Sequence, residues 1–353
     1  MPKSKKTARR NRIRPTILTL LVLALVVGIV VAAAVRMNAA PKHIGVNYLT
    51  LYHEYRTPDD RLQHDFALFE KDGINTIVIS LYWYRIELSQ GVYDKQFINN
   101  VTHVIRIAGT YGLSVMIDFH TLIGQSDAWS NPDYVGAGMN LINQSQIAAD
   151  YIAMVKWTVT QLKGLPNIWA YSVLNEPWYW PLDSWRKSNW INLTVQLSQT
   201  VKAVDPKPVT VRFIGALFDR DWEWDPVMMK SLDFLSINAY LDDNSNESIY
   251  WSSWDQYKAG LGDIARNASA IGKTVQITEF GYSTPDDAVQ EAIYREYVGI
   301  FQQTPNLTGW LSWGWDSSYD PNNPTWAAIH FYSIDVQATG TPRPAYSVLS
   351  QST

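Results

Sequence analysis

The feature that most constrains the fold is a repeated alternation of short apolar runs with helical patterns. Runs of strand length occupy residues 44–47, 75–81, 113–119, 168–174, 209–215, 233–240, 274–281 and 309–315. Segments with apolar residues three and four positions apart separate most of them, at residues 59–72, 95–111, 147–163, 184–204, 257–271 and 286–303. Continuous apolar strands are typical of parallel sheets that are covered on both faces. The pattern therefore predicts an α/β protein with a parallel sheet.

Eight strands of this kind predict a single (β/α)8 barrel, which we expect to occupy residues 41–353. The alternative is an open, doubly wound sheet. That fold favours a glycine-rich phosphate loop after its first strand, and the sequence Gly45-Val46-Asn47-Tyr48 does not supply one. We therefore expect the closed barrel.

The amino-terminal segment differs from the rest of the chain. Residues 1–15 contain seven Lys or Arg and no acidic residue, and residues 17–35 form an apolar run of 19 residues. This run is long enough to cross a bilayer, so residues 16–36 are predicted to be a transmembrane or signal-anchor helix. The basic segment 1–15 would stay in the cytoplasm, which places the barrel outside the cell membrane. A cleaved signal peptide, followed by secretion, is the alternative.

Charge and cysteine content exclude several kinds of partner. Beyond residue 36 the chain has 21 basic and 33 acidic residues, a net charge of −12, which argues against nucleic acid as a partner. The absence of cysteine excludes a disulfide framework and thiolate metal sites. No metal or organic cofactor is expected. The sequence does not specify an oligomeric state.

Polar side chains occur where the predicted strands end, which is where a barrel of this kind carries its active site. Glu176 follows the strand at 168–174, and Glu279 lies at the end of the strand at 274–281. Pro177 is expected to hold Glu176 in an extended conformation. Other strand ends supply Asn47, His120, Asn175, Asn238, Tyr240 and Trp313. Asp118 is expected to be structural, and Glu54, Glu87 and Glu223 to be surface or loop charges.

These residues resemble clan A glycoside hydrolases, and family 5, the cellulase and mannanase family, most of all. The resemblance covers about residues 44–315. It rests on Asn175-Glu176-Pro177 with Glu279, and is supported by Gly45-Val46-Asn47, Asp118-Phe119-His120, Trp313 and the segment 85–94.

The resemblance implies a retaining two-glutamate mechanism and a β-linked glycan as substrate. Glu176 would be the acid/base and Glu279 the nucleophile. Asn175 would bind the sugar 2-hydroxyl, His120 a hydroxyl in the central subsite, and Trp313 would lie under the sugar ring. Tyr240 would orient Glu279. Asn47 and Asn238 complete the expected substrate-binding set.

The chain departs from the family pattern at two places. Many members carry an arginine on the second strand, where this chain has Val78 or Ile79, and many have His-x-Tyr where it has Asn238-Ala239-Tyr240. The first departure predicts that the floor of the site lacks a fixed guanidinium group. Both are expected to alter substrate preference without affecting the two glutamates.

Aromatic residues are frequent in the segments that follow strand ends, and they suit either sugar stacking or packing between loops. They are Trp129, Trp178, Tyr179, Trp180, Trp251, Trp254 and Trp326. Together with these aromatic residues, which favour an extended cleft, the resemblance implies an endo-β-1,4-glucanase, with mannan as the next substrate and xylan last. An exo-acting or transglycosylating relative is the alternative within the clan. A non-catalytic carbohydrate-binding protein is a third interpretation, against which both glutamates, Asn175 and Tyr240 argue.

Overall fold

The computed structural model describes most of the chain beyond residue 42. The described residues are 43–48, 58–120, 141–142, 145–177, 184–218, 224–241, 250–282, 284–315 and 342–352. All of them lie in one compact unit, Pro41–Thr353. Residues 1–36, which contain the predicted membrane helix, lie outside the described residues, as do Glu54 and Glu223. No helix in the described part of the chain is long and apolar enough to cross a membrane.

Eight parallel strands close into a barrel, as the sequence predicts. The strands within the described residues are β1 His43–Asn47, β2 Thr76–Leu81, β3 Glu87–Ser89, β4 Val92–Tyr93, β5 Ser114–Phe119, β6 Ile168–Asn175, β7 Val209–Ile214, β8 Leu235–Asn238, β9 Val275–Glu279 and β10 Leu307–Ser312. Around the barrel the order is β1-β10-β9-β8-β7-β6-β5-β2, and β3 and β4 form a separate hairpin. Strands β1 and β7 therefore face each other across the barrel.

Helices follow most of the barrel strands and pack their apolar faces on the sheet. They are α1 Asp59–Lys71, α2 Trp83–Ile86, α3 Lys95–Thr110, α4 Ser145–Leu162, α5 Ser184–Val204, α6 Gly215–Leu217, α7 Pro226–Ser231, α8 Trp254–Ala270, α9 Asp287–Gln303 and α10 Pro344–Ser350. Side chains at four of the described helix starts, Asp94, Asp225, Ser253 and Asp286, accept hydrogen bonds from backbone N–H groups of the first turn. The predicted helices are confirmed to within a few residues at each end.

The β3–β4 hairpin was not predicted, and its Glu87 is not a surface charge. Glu87 is only 1% exposed. Its carboxylate accepts hydrogen bonds from Trp83 Nε1 at 2.5 Å and from the backbone N–H of Gly91 at 2.6 Å. The expectation of a surface or loop charge was wrong because a single acidic residue in sequence carries no sign of the indole and amide donors that surround it.

The lower interior of the barrel is apolar. Val78, Met116, Ala170 and Leu311 form one buried cluster there, together with Phe234. Val78 and Met116 are paired in register on neighbouring strands. Because side chains alternate across a strand, positions two residues later face the same interior nearer the carboxyl ends. Those positions include Ser80 and Asp118, so the interior becomes polar as it approaches the site.

Gly45 allows β1 and β2 to approach closely, which gives a test of the barrel closure. A Cβ atom on Gly45 would lie 1.7 Å from the carbonyl oxygen of Thr76. Gly45→Ala is therefore expected to destabilise the fold by about 3 kcal/mol or more, measured by thermal unfolding and soluble yield. The matched control is Gly299→Ala in α9, where nothing lies within 4 Å of the added atom. It should be neutral or stabilise the protein by up to about 1 kcal/mol. Equal unfolding temperatures for the two variants would contradict the close approach.

Candidate active site

Glu176 and Glu279 lie at the same end of the barrel, where the sequence places them. Glu279 is the last residue of β9, and Glu176 follows the last residue of β6. The backbone N–H of Glu176 donates to the carbonyl of Arg212 on β7, which continues the parallel pairing past the strand end. Both carboxyl groups thus extend from the rigid sheet, which suits groups that must be held in fixed positions.

The backbone at Glu176 differs from the prediction. Its φ angle is +44°, in the left-handed region that non-glycine residues rarely adopt, whereas Pro177 was expected to keep it extended. A following proline disfavours the right-handed helical region for the preceding residue. It does not forbid the left-handed region that Glu176 adopts. Such a conformation has an energy cost of roughly 1–3 kcal/mol and persists only where the surroundings enforce it. Here the hydrogen bond to β7 and the side-chain contacts described below hold it.

Glu279 is surrounded by donors and a cation. The Tyr240 hydroxyl donates to its Oε2 at 2.9 Å, and the Nη2 atom of Arg212 lies 2.6 Å from its Oε1. The hydrogen bonds of that Nη2 go to Asn47 Oδ1 and the Thr278 carbonyl, so its contact with Glu279 is an ion pair without an aligned hydrogen bond. Glu279 is 4% exposed. The predicted contact between Tyr240 and Glu279 is present.

Glu176 has a different environment, with no cation in contact among the described residues. The amide group of Asn238 donates to Glu176 Oε1 at 3.0 Å and also approaches Asn175 Oδ1 at 3.2 Å. Thr278 Oγ1 donates to Asn238 Oδ1 at 3.0 Å, which fixes the orientation of the amide. Asn238 is fully buried and its polar atoms are engaged. We therefore assign it to positioning Glu176, where the resemblance suggested a sugar contact.

The two environments act differently on the two carboxyl groups. Burial, together with the negative charge of Glu279, raises the pKa of Glu176 to about 7. Burial also raises the pKa of Glu279, but Arg212, His120 and the Tyr240 hydrogen bond oppose that rise. Glu176 thus carries its proton up to near neutral pH, whereas the contacts of Glu279 with Arg212 and Tyr240 favour its ionised form against the effect of burial. This is the arrangement that a general acid and a nucleophile require.

His120 and Trp313 lie together beside this pair. Their rings stack at a centroid distance of 5.8 Å and an interplanar angle of 22°. His120 Nδ1 is 2.8 Å from Asp118 Oδ2. Burial lowers the pKa of His120, but the carboxylate of Asp118 outweighs it, so the net pKa is raised. Asp118 is wholly buried, as expected of a structural residue.

Asn175 and Asn47 occupy different levels of the site. Asn175 accepts from Asn238 through Oδ1, and its Nδ2 group has no partner among the described residues, so it can donate to a substrate hydroxyl. Asn47 is fully buried, donates to the carbonyls of Thr278 and Ser312, and accepts from Arg212. Its amide is fully used, which places Asn47 beneath the site and leaves it no donor for a sugar.

The expectation that the floor lacks a guanidinium group was wrong. Val78 does lie in an apolar layer, but Arg212 of β7 brings a guanidinium group under Glu279. The sequence analysis missed Arg212. Its signal is a charged residue in the middle of the apolar run 209–215, at a position where a buried strand tolerates a charge only if it is paired.

Of the seven aromatic residues in segments after strand ends, two are described. Trp251 is 7% exposed and packs edge-to-face on Tyr257. Trp254 makes edge-to-face contacts with Tyr257 and Tyr297. Both therefore pack against aromatic side chains of the helices α8 and α9. The remaining five, Trp129, Trp178, Tyr179, Trp180 and Trp326, lie outside the described residues.

No group of three or more His, Asp or Glu side chains within the described ranges is arranged to hold a metal ion. The described groups at this site are two carboxyl groups, amides, a phenol and a guanidinium group. A pair of carboxyl groups with unequal proton affinity, flanked by an amide donor and aromatic rings, suits hydrolysis of a glycosidic bond.

Comparisons with known proteins agree with this chemistry. A family model described as Cellulase (glycosyl hydrolase family 5) matches residues 38–319. A mannan endo-1,4-beta-mannosidase A from Aspergillus aculeatus is 24% identical over 233 residues, which cover 63% of this chain and 60% of the relative. The chain thus spans less than two thirds of that relative's length. A mannan endo-1,4-beta-mannosidase 5 from Solanum lycopersicum is 22% identical over 323 residues, 76% of each chain.

A solved structure shares the fold. It is a subfamily 18 member of family 5 from Bifidobacterium longum, in complex with Manβ1-4GlcNAc. The TM-score is 0.69 at 18% identity, over 88% of this chain and 77% of that one. Because the family model covers most of the chain, and the barrel carries its two glutamates at the expected strand ends, this protein belongs to glycosyl hydrolase family 5 and is a glycosyl hydrolase.

Proposed function

We propose that the protein is a retaining, endo-acting β-1,4-glycanase in which Glu176 is the acid/base and Glu279 the nucleophile. The observation that carries this proposal is the contrast between the two carboxyl groups. Glu176 has a pKa of about 7 and a single amide donor, while Glu279 has a phenol donor and a guanidinium partner. Retention is characteristic of clan A.

The reaction proceeds in two displacements. In the first, a Glu279 oxygen bonds to the anomeric carbon, the bond to the leaving oxygen breaks, and the Glu176 proton passes to that oxygen. In the second, Glu176 takes a proton from water, the water oxygen bonds to the anomeric carbon, and the ester bond to Glu279 breaks. The amide of Asn175 donates to the 2-hydroxyl, and Trp313 supports the ring.

We place mannan first and glucan second among the polymers. Two relatives carry the name of mannan endo-1,4-beta-mannosidase, and this reverses the order expected from the sequence. Glucan follows because the family model is described as a cellulase.

A substrate panel tests this proposal. The full-length chain would be incubated with linear β-1,4-mannan, β-1,4-glucan, xylan and Manβ1-4GlcNAc, and products would be separated by chromatography. We expect oligosaccharides of several lengths from mannan, fewer from glucan and fewest from xylan, with the β-anomer formed first by proton NMR. Monosaccharide alone would overturn the endo-acting assignment. The α-anomer formed first would overturn retention, and inactivity on all four would overturn the function.

The pH dependence of kcat/KM should reflect the protonation of Glu176. Since Glu176 must carry its proton, kcat/KM should fall as pH rises through about 7. The hydrogen bond from Asn238 lowers the pKa of Glu176, so Asn238→Ala should move this alkaline limb to higher pH. Ser236→Ala is the control, because Ser236 is buried on the same strand without a partner for its hydroxyl. It should leave the limb unchanged. A limb that moves down in Asn238→Ala would contradict the assignment of Glu176.

We further propose that residues 17–35 anchor the enzyme with its barrel outside the cell. The support is the basic segment before an apolar run of 19 residues. The full-length chain should sediment with membranes and be cut by protease added to intact cells. Mature protein beginning between residues 33 and 41 would show the secreted form instead.

A further inference from the structure

Arg212 crosses the interior of the barrel. It belongs to β7, and Asn47, which accepts from its Nη2 atom at 2.9 Å, belongs to β1 on the opposite side. The same Nη2 atom donates to the Thr278 carbonyl of β9 at 2.8 Å. Arg212 is fully buried. Contacts with β1 and β9 therefore help to fix the plane of the guanidinium group.

The guanidinium group is shared between two carboxylates. Its Nη1 atom donates to Asp118 Oδ2 at 2.7 Å, and its Nη2 atom lies 2.6 Å from Glu279 Oε1. A buried cation is tolerated only when it is paired, and Asp118 alone would supply that pair. Its second contact, with Glu279, is therefore not needed merely to neutralise Arg212, and this points to a role in the site.

We propose that Arg212 positions Glu279 as the nucleophile and keeps it ionised. Arg212 extends from β7 across the barrel, and its guanidinium group is held in place by Asn47 and Asp118. The inference rests on the proposed function. Arg212 does not touch the sugar, because it lies wholly buried beneath the carboxylate, so it acts through Glu279. Val78 on β2 packs in the apolar cluster, because the guanidinium group near Glu279 is supplied by β7 on the opposite side of the barrel.

Three variants test the proposal. Arg212→Met removes the charge, and Arg212→Lys keeps it without the planar fork. Arg343→Met is the matched control, because Arg343 is also buried and paired, donating to Asp287 Oδ1 at 2.7 Å and to the Thr284 carbonyl at 3.0 Å. Neither of these partners is one of the residues that contact Glu176 or Glu279 in the hydrogen bonds and ion pairs described above. Each full-length variant would be compared for kcat, KM, the pH profile of kcat/KM and thermal unfolding.

Arg212→Met should lower kcat by roughly 10²–10³-fold, the usual loss when one electrostatic stabiliser of an active site is removed, with a smaller change in KM. The acid limb of kcat/KM should move to higher pH, because the cation that favours ionised Glu279 is gone. Arg212→Lys should keep the acid limb near that of the wild type and lose kcat about tenfold, since one ammonium group cannot contact Asp118 and Glu279 in the fixed geometry of the planar guanidinium group. Arg343→Met should lose only stability.

The inference would be overturned if Arg212→Met, like the control, lost stability but kept the acid limb of its kcat/KM profile unchanged. If Arg212→Met does not fold, wild-type kcat in Arg212→Lys would overturn it equally. A readout without substrate separates this inference from the proposed function. The Glu279 carboxyl carbon, assigned in NMR by its loss in Glu279→Gln, should titrate at higher pH in Arg212→Met. If the titration of the Glu279 carboxyl carbon is the same in Arg212→Met as in the wild type, the role of Arg212 is rejected. If that titration shifts but the wild type is inactive on every sugar tested, only the proposed function is rejected.

Discussion

Glu279→Gln is expected to abolish turnover, with kcat lowered on the order of 10⁴–10⁶-fold, the range seen when a residue of a covalent catalytic set is removed. The amide cannot attack the anomeric carbon, whereas its size and its contact with Tyr240 are kept. Arg212 keeps Asp118 as its partner, so the fold should remain intact. Steady-state kinetics and thermal unfolding on the same preparation would measure both effects.

A covalent label identifies the nucleophile directly. A 2-deoxy-2-fluoro glycoside with a good leaving group should modify the wild type on Glu279 and leave Glu279→Gln unmodified, as seen by mass spectrometry of peptides. Glu291→Gln is the control, because Glu291 lies on α9 in an ion pair with Arg295 and should not affect either result. A label on any other carboxylate, or full turnover by Glu279→Gln, would show that the nucleophile is elsewhere.

Glu176→Gln is expected to have the second largest effect, a loss of roughly 10²–10⁴-fold in kcat on polysaccharide. The loss should be much smaller on aryl glycosides with good leaving groups, because these need little protonation. Glu176→Ala should regain rate with added azide, which fits the space left by the carboxyl group and needs no base. The alkaline limb near pH 7 should disappear with Glu176.

The comparison between substrates is the decisive measurement for Glu176. A structural residue would reduce the rates on polysaccharide and aryl glycoside in equal proportion, and azide would restore neither. Equal losses on the two substrates would therefore remove Glu176 from the role of acid/base. The product formed with azide should be the β-glycosyl azide, since azide attacks the covalent intermediate from the face that Glu176 serves.

The barrel and its two glutamates could be predicted because their signals are local. Each strand is a continuous apolar run, and a polar residue at its end stands out. The closed order of the strands then brings Glu176 and Glu279 to one rim without further information. The roles of Asn47 and Asn238 could not be predicted in this way, because an amide at a strand end can serve a sugar or a neighbouring strand equally well.

Arg212 shows why the remaining part of the site was missed. Many family members carry the arginine on the second strand. An arginine on another strand can place its guanidinium group at the same point inside the barrel if its side chain is long enough to reach it. Arg212 reaches Asn47 across the full width of the barrel, a contact between residues 165 positions apart in sequence. Glu87 was misjudged for a related reason, because its partners Trp83 and Gly91 meet it only after the hairpin has formed.

The shared guanidinium group also has a consequence for the covalent intermediate. When Glu279 becomes an ester it loses its negative charge, and an arginine paired with that residue alone would become an isolated cation inside the protein. Asp118, at 2.7 Å from Nη1, remains as a permanent counter-ion. Meanwhile Glu176 has given up its proton, so the total charge of the pocket is the same before and after the first displacement. The first displacement therefore moves one negative charge from Glu279 to Glu176 without changing the net charge of a low-dielectric site, and it leaves Arg212 paired with Asp118 throughout.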